Sequence, residues 1–175
     1  RDVLGSRGLG DVYKRQGSQS RDLDLKELCT EEQVFQYADF EWGTDSEQLF
    51  KQSSLKFDEK DLGQGDESST KTYESKEKFS LENAESNMDL EFSDGQLSQV
   101  SFTFDIEQDA NTWIQKEVDE LNSLYGGGIA TGLGNQIYQW QGEQDTVLQL
   151  TAFTEGDESA TVILSVASME YSIGS

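Results

Sequence analysis

The chain has 175 residues, no histidine, no proline, a single cysteine and a formal charge of −22 at pH 7. That length fits one domain, with a core large enough to hold without disulfide staples. The missing histidine removes the commonest general base and zinc ligand. The negative field repels phosphate backbones and anionic membrane surfaces, so neither nucleic acid nor a lipid headgroup is an expected partner.

The charge is uneven along the chain. Residues 1–21 hold five of the thirteen basic side chains and two of the 35 acidic ones, leaving 8 basic against 33 acidic, a net of −25, from Asp22 onward. No basic residue follows Lys116, and no Lys/Arg cluster is interleaved with aromatics. Arg1 to Gln16 show no apolar period, and a Gly-Ser-Gln-Ser spacer follows them. The ending Asp11-Val12-Tyr13-Lys14-Arg15-Gln16 resembles the translated adapter or junction tails that stand in front of unrelated environmental gene fragments. We therefore expect residues 1–21 to be a disordered, non-native tail or linker, with the natural N-terminus and any signal peptide missing. Residues 22–175 are expected to form one domain.

Cys29 comes next, among Asp24, Glu27, Glu31 and Glu32. Carboxylates raise a thiol pKa, so it reads as a buried or idle cysteine and not a nucleophile. Thr44-Asp45-Ser46-Glu47 has capping-box spacing and predicts a short helix from Asp45 to about Gln52. Leu55 and Phe57 predict a brief strand. A mobile acidic loop near residues 58–70 separates it from a longer strand, Lys71 to Leu81. Tyr73, Phe79 and Leu81 share one parity there with Ser75 and Glu77, which predicts an edge or half-exposed element.

From Met88 the pattern sharpens. Met88, Leu90 and Phe92 alternate with polar residues, Asp94-Gly95 supplies the positive φ of a I′ turn, and Val100, Phe102 and Phe104 return. Leu97 is out of step, which places a bulge or a late strand start near Ser98. Asp109 is the expected cap of a helix whose apolar stripe is Ala110, Trp113, Ile114, Val118, Leu121, Leu124 and Tyr125, with Gly126 as its C-terminal stop. Three strands follow around Tyr138 and Trp140, Leu148 to Ala152, and Ala160 to Val166. The predicted fold class is α+β: an antiparallel sheet of about six strands in helix-βββ-helix-βββ order, with the helices packed on one face. The two halves invite comparison as a duplication, but they share almost no side-chain identity.

Chemistry-bearing motifs are few. Gly126-Gly127-Gly128 through Gly132 and Gly134 follows a helix and lacks the Lys-Ser or Lys-Thr of a phosphate loop. The acidic runs at Asp22 and Asp24, at Asp58 to Asp61, and at Asp157-Glu158 lack the ligand order of an EF-hand, so no metal site is expected. No cofactor motif occurs, and no window approaches 18 apolar residues, so no membrane span is expected. With no histidine, no usable thiol and no serine in a nucleophile elbow, no enzyme is expected either. Trp42, Tyr138 and Trp140 are the candidate binding residues, against a core role for each.

Phe40-Glu41-Trp42-Gly43-Thr44-Asp45-Ser46-Glu47, the hairpin, Leu121-Asn122-Ser123-Leu124-Tyr125-Gly126 and the later Trp140 together resemble small exported bacterial α+β domains of the BamE and beta-lactamase-inhibitor-protein type. Gly127-Gly128 replaces a proline often found after that Tyr-Gly, and the acidic loop before Lys71 is extra. The resemblance implies an extracytoplasmic, secreted or lipid-anchored, non-enzymatic binding or assembly module of a bacterial cell envelope. The alternative is an acidic inhibitor or immunity-type protein that neutralises a basic protein partner.

Overall fold

The computed structural model describes residues 20–60, 69–131, 136–156 and 158–172. In chain order, β1 is Ser20–Asp22, a 3₁₀ turn spans Leu25–Leu28, α1 is Ser46–Gln52, β2 is Phe57–Lys60, β3 is Thr70–Leu81, β4 is Ala84–Ser93 and β5 is Gln96–Ile106. Then come α2 (Ala110–Tyr125), β6 (Ile129–Thr131), β7 (Gln136–Gln141), β8 (Thr146–Glu155), β9 (Ser159–Ser168) and α3 (Met169–Ser172).

Among the described residues, nine strands join one sheet in the order β1-β3-β4-β5-β9-β8-β7-β6, with β2 also paired to β3. Two meanders therefore meet at β5 and β9. β1 runs parallel to β3, against Lys78–Ser80, while β2 runs antiparallel beside Thr72–Ser75. Between them these short strands cover the outer side of β3, which would otherwise present unpaired amides to solvent.

Register makes one face apolar. Tyr138, Leu150, Leu164, Phe102 and Met88 stand opposite one another across five strands. Trp140, Leu148, Val166, Val100, Leu90 and Tyr73 form the next row. These rows, the segment from Leu23 to Leu55 and the α2 residues Ala110, Ile114, Val118 and Leu121 make one core cluster. Aromatic rings bind that segment to the sheet: Tyr37 meets Phe79 and Phe102 at 6.1 Å, and Phe50 meets Tyr73 at 5.0 Å. The other face is polar, as period-two alternation requires. Gln139, Gln149, Ser165, Ser101, Asp89 and Glu74 make one of its rows.

The structure corrects the predicted fold class. Among the described residues half are strand and about a fifth are helix, so this is a mostly β fold with a nine-stranded sheet, not a six-stranded helix-βββ-helix-βββ domain. The extra strands β1, β2 and β6 have three, four and three residues. Each is held by ladder hydrogen bonds to a neighbour; β2 begins at Phe57, where Leu55 and Phe57 predict a brief strand, while no apolar period announces β1 or β6. Ser20 and Arg21, assigned to the tail by sequence, pair with Lys78 and Phe79. The rest of the expected tail, residues 1–19, lies outside the described residues. Of the acidic loop expected near residues 58–70, Asp58–Lys60 lies in β2 and Thr70 opens β3, and residues 61–68 lie outside the described residues.

Local details also differ. Asp109 takes a left-handed conformation with no side-chain cap, and the carbonyl of Glu158 accepts the Ala110 N–H at 3.0 Å instead. In α1 the cap is Asp45, whose Oδ1 accepts the Gln48 N–H at 2.8 Å. No helix among the described residues is long and apolar enough to cross a membrane.

Candidate functional site

The three aromatic candidates do not converge. Trp140 is 3% exposed, and its indole N–H donates to the Gly126 carbonyl at 2.9 Å and to Asn122 Oδ1 at 3.1 Å. It ties the C-terminal end of α2 to β7. Tyr138 is half-buried two residues earlier on the same face, with its hydroxyl 3.2 Å from Gln136 Oε1. Trp42 lies elsewhere. It is half-buried, its indole N–H donates to the Phe35 carbonyl at 2.8 Å, and it lines a cleft of about 430 Å³.

Three segments build that cleft: the loop from Thr30 to Trp42, the turn between β7 and β8, and α3. Hydrogen bonds lock them together. The Glu143 N–H reaches the Gln33 carbonyl at 2.8 Å, the Phe35 N–H reaches Thr146 Oγ1 at 2.9 Å, and the Met169 N–H reaches the Asp145 carbonyl at 2.9 Å. Gly43 follows Trp42 with φ of +87°, and a Cβ there would stand 2.7 Å from the Tyr171 ring. Only glycine lets Tyr171 lie against this backbone.

Glu32, Glu41 and Glu170 line the cleft beside Trp42 and Tyr171, and among the described residues no lysine or arginine lines it. Carboxylates supply charge-assisted acceptors, and aromatic faces attract cations. The set suits an ammonium or guanidinium group.

A second cluster sits where the β3–β4 turn meets α2. Glu82, Glu117 and Glu120 each offer a carboxylate oxygen within 4.8 Å of the others. Glu117 and Glu120 are three residues apart on one helix face. Glu82 and Asn83 form the turn, with φ of 46° and 70°, and the Trp113 indole N–H donates to the Glu82 carbonyl at 3.2 Å. Trp113 thereby holds the turn over α2. Lys116 Nζ lies 2.7 Å from Glu82 Oε1.

Glu117 is the outlier. It is 1% exposed, and neither of its carboxylate oxygens has a hydrogen-bond partner. Burial, then the charges of Glu120 and Glu82, push its pKa up to about 7, against the pull of Lys116. Adjacent to the cluster is a cavity of about 380 Å³ lined by Asp22, Asp24, Ser80, Glu82, Asn83 and Glu120. Sequence reasoning passed over this trio, whose members come from a turn and a helix about 35 positions apart. Asp22 and Asp24 did stand out as an acidic run, and the fold brings them to the same cavity.

Cys29 is half-buried and free, and burial raises its thiol pKa. On the polar face Asp89 keeps one carboxylate oxygen without a partner while the other meets Lys60 at 3.4 Å. No protein-family model, no curated protein and no solved structure matches this chain.

Proposed function

We propose that this chain is a non-enzymatic binding or assembly module of the bacterial cell envelope, extracytoplasmic in setting, that captures a basic segment of another protein in the Trp42 cleft. One observation carries the reading: a framed cleft joins two aromatic rings to Glu32, Glu41 and Glu170, with no cation lining it among the described residues. The resemblance of the Trp42-Gly43 and Tyr125-Gly126 segments to exported bacterial domains supports the setting.

The overall charge favours a second reading on the same surface, in which the chain inhibits or confers immunity against a basic protein. A charge of −22 steers such a partner from a distance, and that contribution fades as salt screens it. Calorimetric titration with a short Lys/Arg-rich peptide tests the cleft. Binding is expected for the intact protein and is expected to be lost in Trp42→Ala and in the double variant Glu41→Gln/Glu170→Gln. Equal binding by all three proteins contradicts the cleft. A shallow salt dependence favours the assembly module, and a steep one favours the inhibitor.

A further inference from the structure

We propose that Glu82, Glu117 and Glu120 form a calcium site at the junction of the β3–β4 turn and α2. Clustered carboxylates on an acidic protein are ordinary; what sets this cluster apart is what its middle member lacks. Glu117 is sealed from solvent, both its oxygens are without a partner, and it faces two further carboxylates. A buried carboxylate is normally matched by a donor or a cation. Among the described groups around it, only Lys116 is a cation, and its ammonium is spent on Glu82 at 2.7 Å.

The donor set selects the ion. Carboxylate oxygens with no nitrogen or sulfur among them suit hard cations. Calcium bonds at about 2.3 to 2.6 Å and so bridges oxygens up to about 5 Å apart, whereas magnesium at about 2.0 to 2.1 Å spans only about 4 Å. The oxygens here lie within 4.8 Å of one another, close to the span of calcium and wider than that of magnesium, so small side-chain adjustments bring all three into calcium bonding range. The neighbouring cavity, with Asp22 and Asp24 on its wall, gives room for the waters that complete a coordination shell of six to eight. Trp113 fixes the turn, and the helix fixes the other two ligands, so the site is held before the ion arrives.

Calcium titration of the full chain by calorimetry, at fixed ionic strength after chelator treatment, tests the site. The intact protein is expected to show one saturable site per chain, with magnesium weaker. Glu117→Gln is expected to abolish it. Glu120→Gln, at an exposed position where folding is not at risk, is expected to weaken it by roughly tenfold or more, because fewer charged ligands hold the ion. Glu47→Gln, an exposed carboxylate on α1, leaves it unchanged. Lys116→Gln releases Glu82 and tightens binding. Equal calcium affinity in the intact protein, Glu117→Gln and Glu120→Gln would mean diffuse attraction to an acidic surface, and the proposal fails. Since none of these residues lines the Trp42 cleft, failure here leaves peptide capture as it was.

Discussion

Asn122 and Trp140 form the clasp between α2 and the second meander. Asn122 Oδ1 accepts the Trp140 indole N–H at 3.1 Å and the Gly128 backbone N–H at 2.9 Å. One side chain therefore ends the helix, shapes the glycine run and positions the ring that lies beneath it.

Replacing Asn122 with alanine leaves the Gly128 amide without its acceptor and weakens the hold on a buried indole. A loss of about 1 to 3 kcal/mol is expected. Gly128→Ala is expected to be as harmful, because its Cβ would stand 2.6 Å from the Trp140 ring, which is packed in the core and cannot swing away. Denaturant unfolding monitored by tryptophan emission measures both.

Ser75 is a hidden pivot of the sheet. At the register shift in β3 its hydroxyl donates to the Glu77 carbonyl at 2.7 Å and accepts the Met88 N–H at 2.8 Å. Ser75→Ala strands a buried amide, so a cost of about 1 to 3 kcal/mol is expected. Ser75→Thr keeps the hydroxyl and is expected to cost less. Amide exchange at Met88 reports the difference.

Gly43→Ala joins a forbidden contact with Tyr171 to a left-handed backbone. A destabilisation of about 1 kcal/mol or more is expected from the backbone alone. Displacement of Tyr171 should also weaken basic-peptide binding in a protein that is otherwise folded, which calorimetry on the variant reads directly.

Glu117 makes stability depend on pH in an unusual direction. Its pKa is about 7 in the folded protein against an ordinary value of 4.5. Between those values the folded state holds more protons than the unfolded one, so in chelator its contribution to stability falls as pH rises. The destabilisation is absent below about pH 4.5 and complete above pH 7. Glu117→Gln is expected to be more stable than the native sequence by about 1 to 3 kcal/mol at neutral pH, and the gain should vanish in acid. Chemical denaturation at a series of pH values measures it.

The sequence was readable where side chains alternate and unreadable where hydrogen bonds alone decide. Asp94-Gly95 forms the expected turn, with φ of 51° and 81°. The bulge falls at Ser98, since Glu91 opposes Gln99 while Phe92 opposes Leu97. Gly126 stops α2 as its position implies, with φ of 92° and its N–H donated to the Asn122 carbonyl at 2.9 Å. By contrast, Ser20–Asp22 carries no apolar residue and is a strand only because β3 offers it a free edge. Ser75 and Glu77 share the apolar parity of β3, which reads as an edge or half-exposed element; at the register shift Ser75 itself is buried, at 2% exposure.

The candidate sites were legible in part. Trp42 stands out as an aromatic beside a glycine, but of its companions Glu32 lies at the far end of the same loop and Glu170 on α3, about 130 positions away, so only Glu41 is beside it in sequence. Tyr138 and Trp140 gave the same kind of signal, and the fold turns both toward the covered face of the sheet. Glu117 gave none: a glutamate in the middle of an amphipathic helix reads as solvent-facing until the β3–β4 turn is laid over it.

The most direct test of peptide capture follows the indole N–H signals of Trp42, Trp113 and Trp140 by two-dimensional NMR as a Lys/Arg-rich peptide is added. The account predicts that the Trp42 signal moves in a saturable way while Trp113 and Trp140, whose N–H groups are held by Glu82 and by Asn122 and Gly126, stay in place. A saturating complex in which the Trp42 signal does not move, or no complex at all, would contradict it.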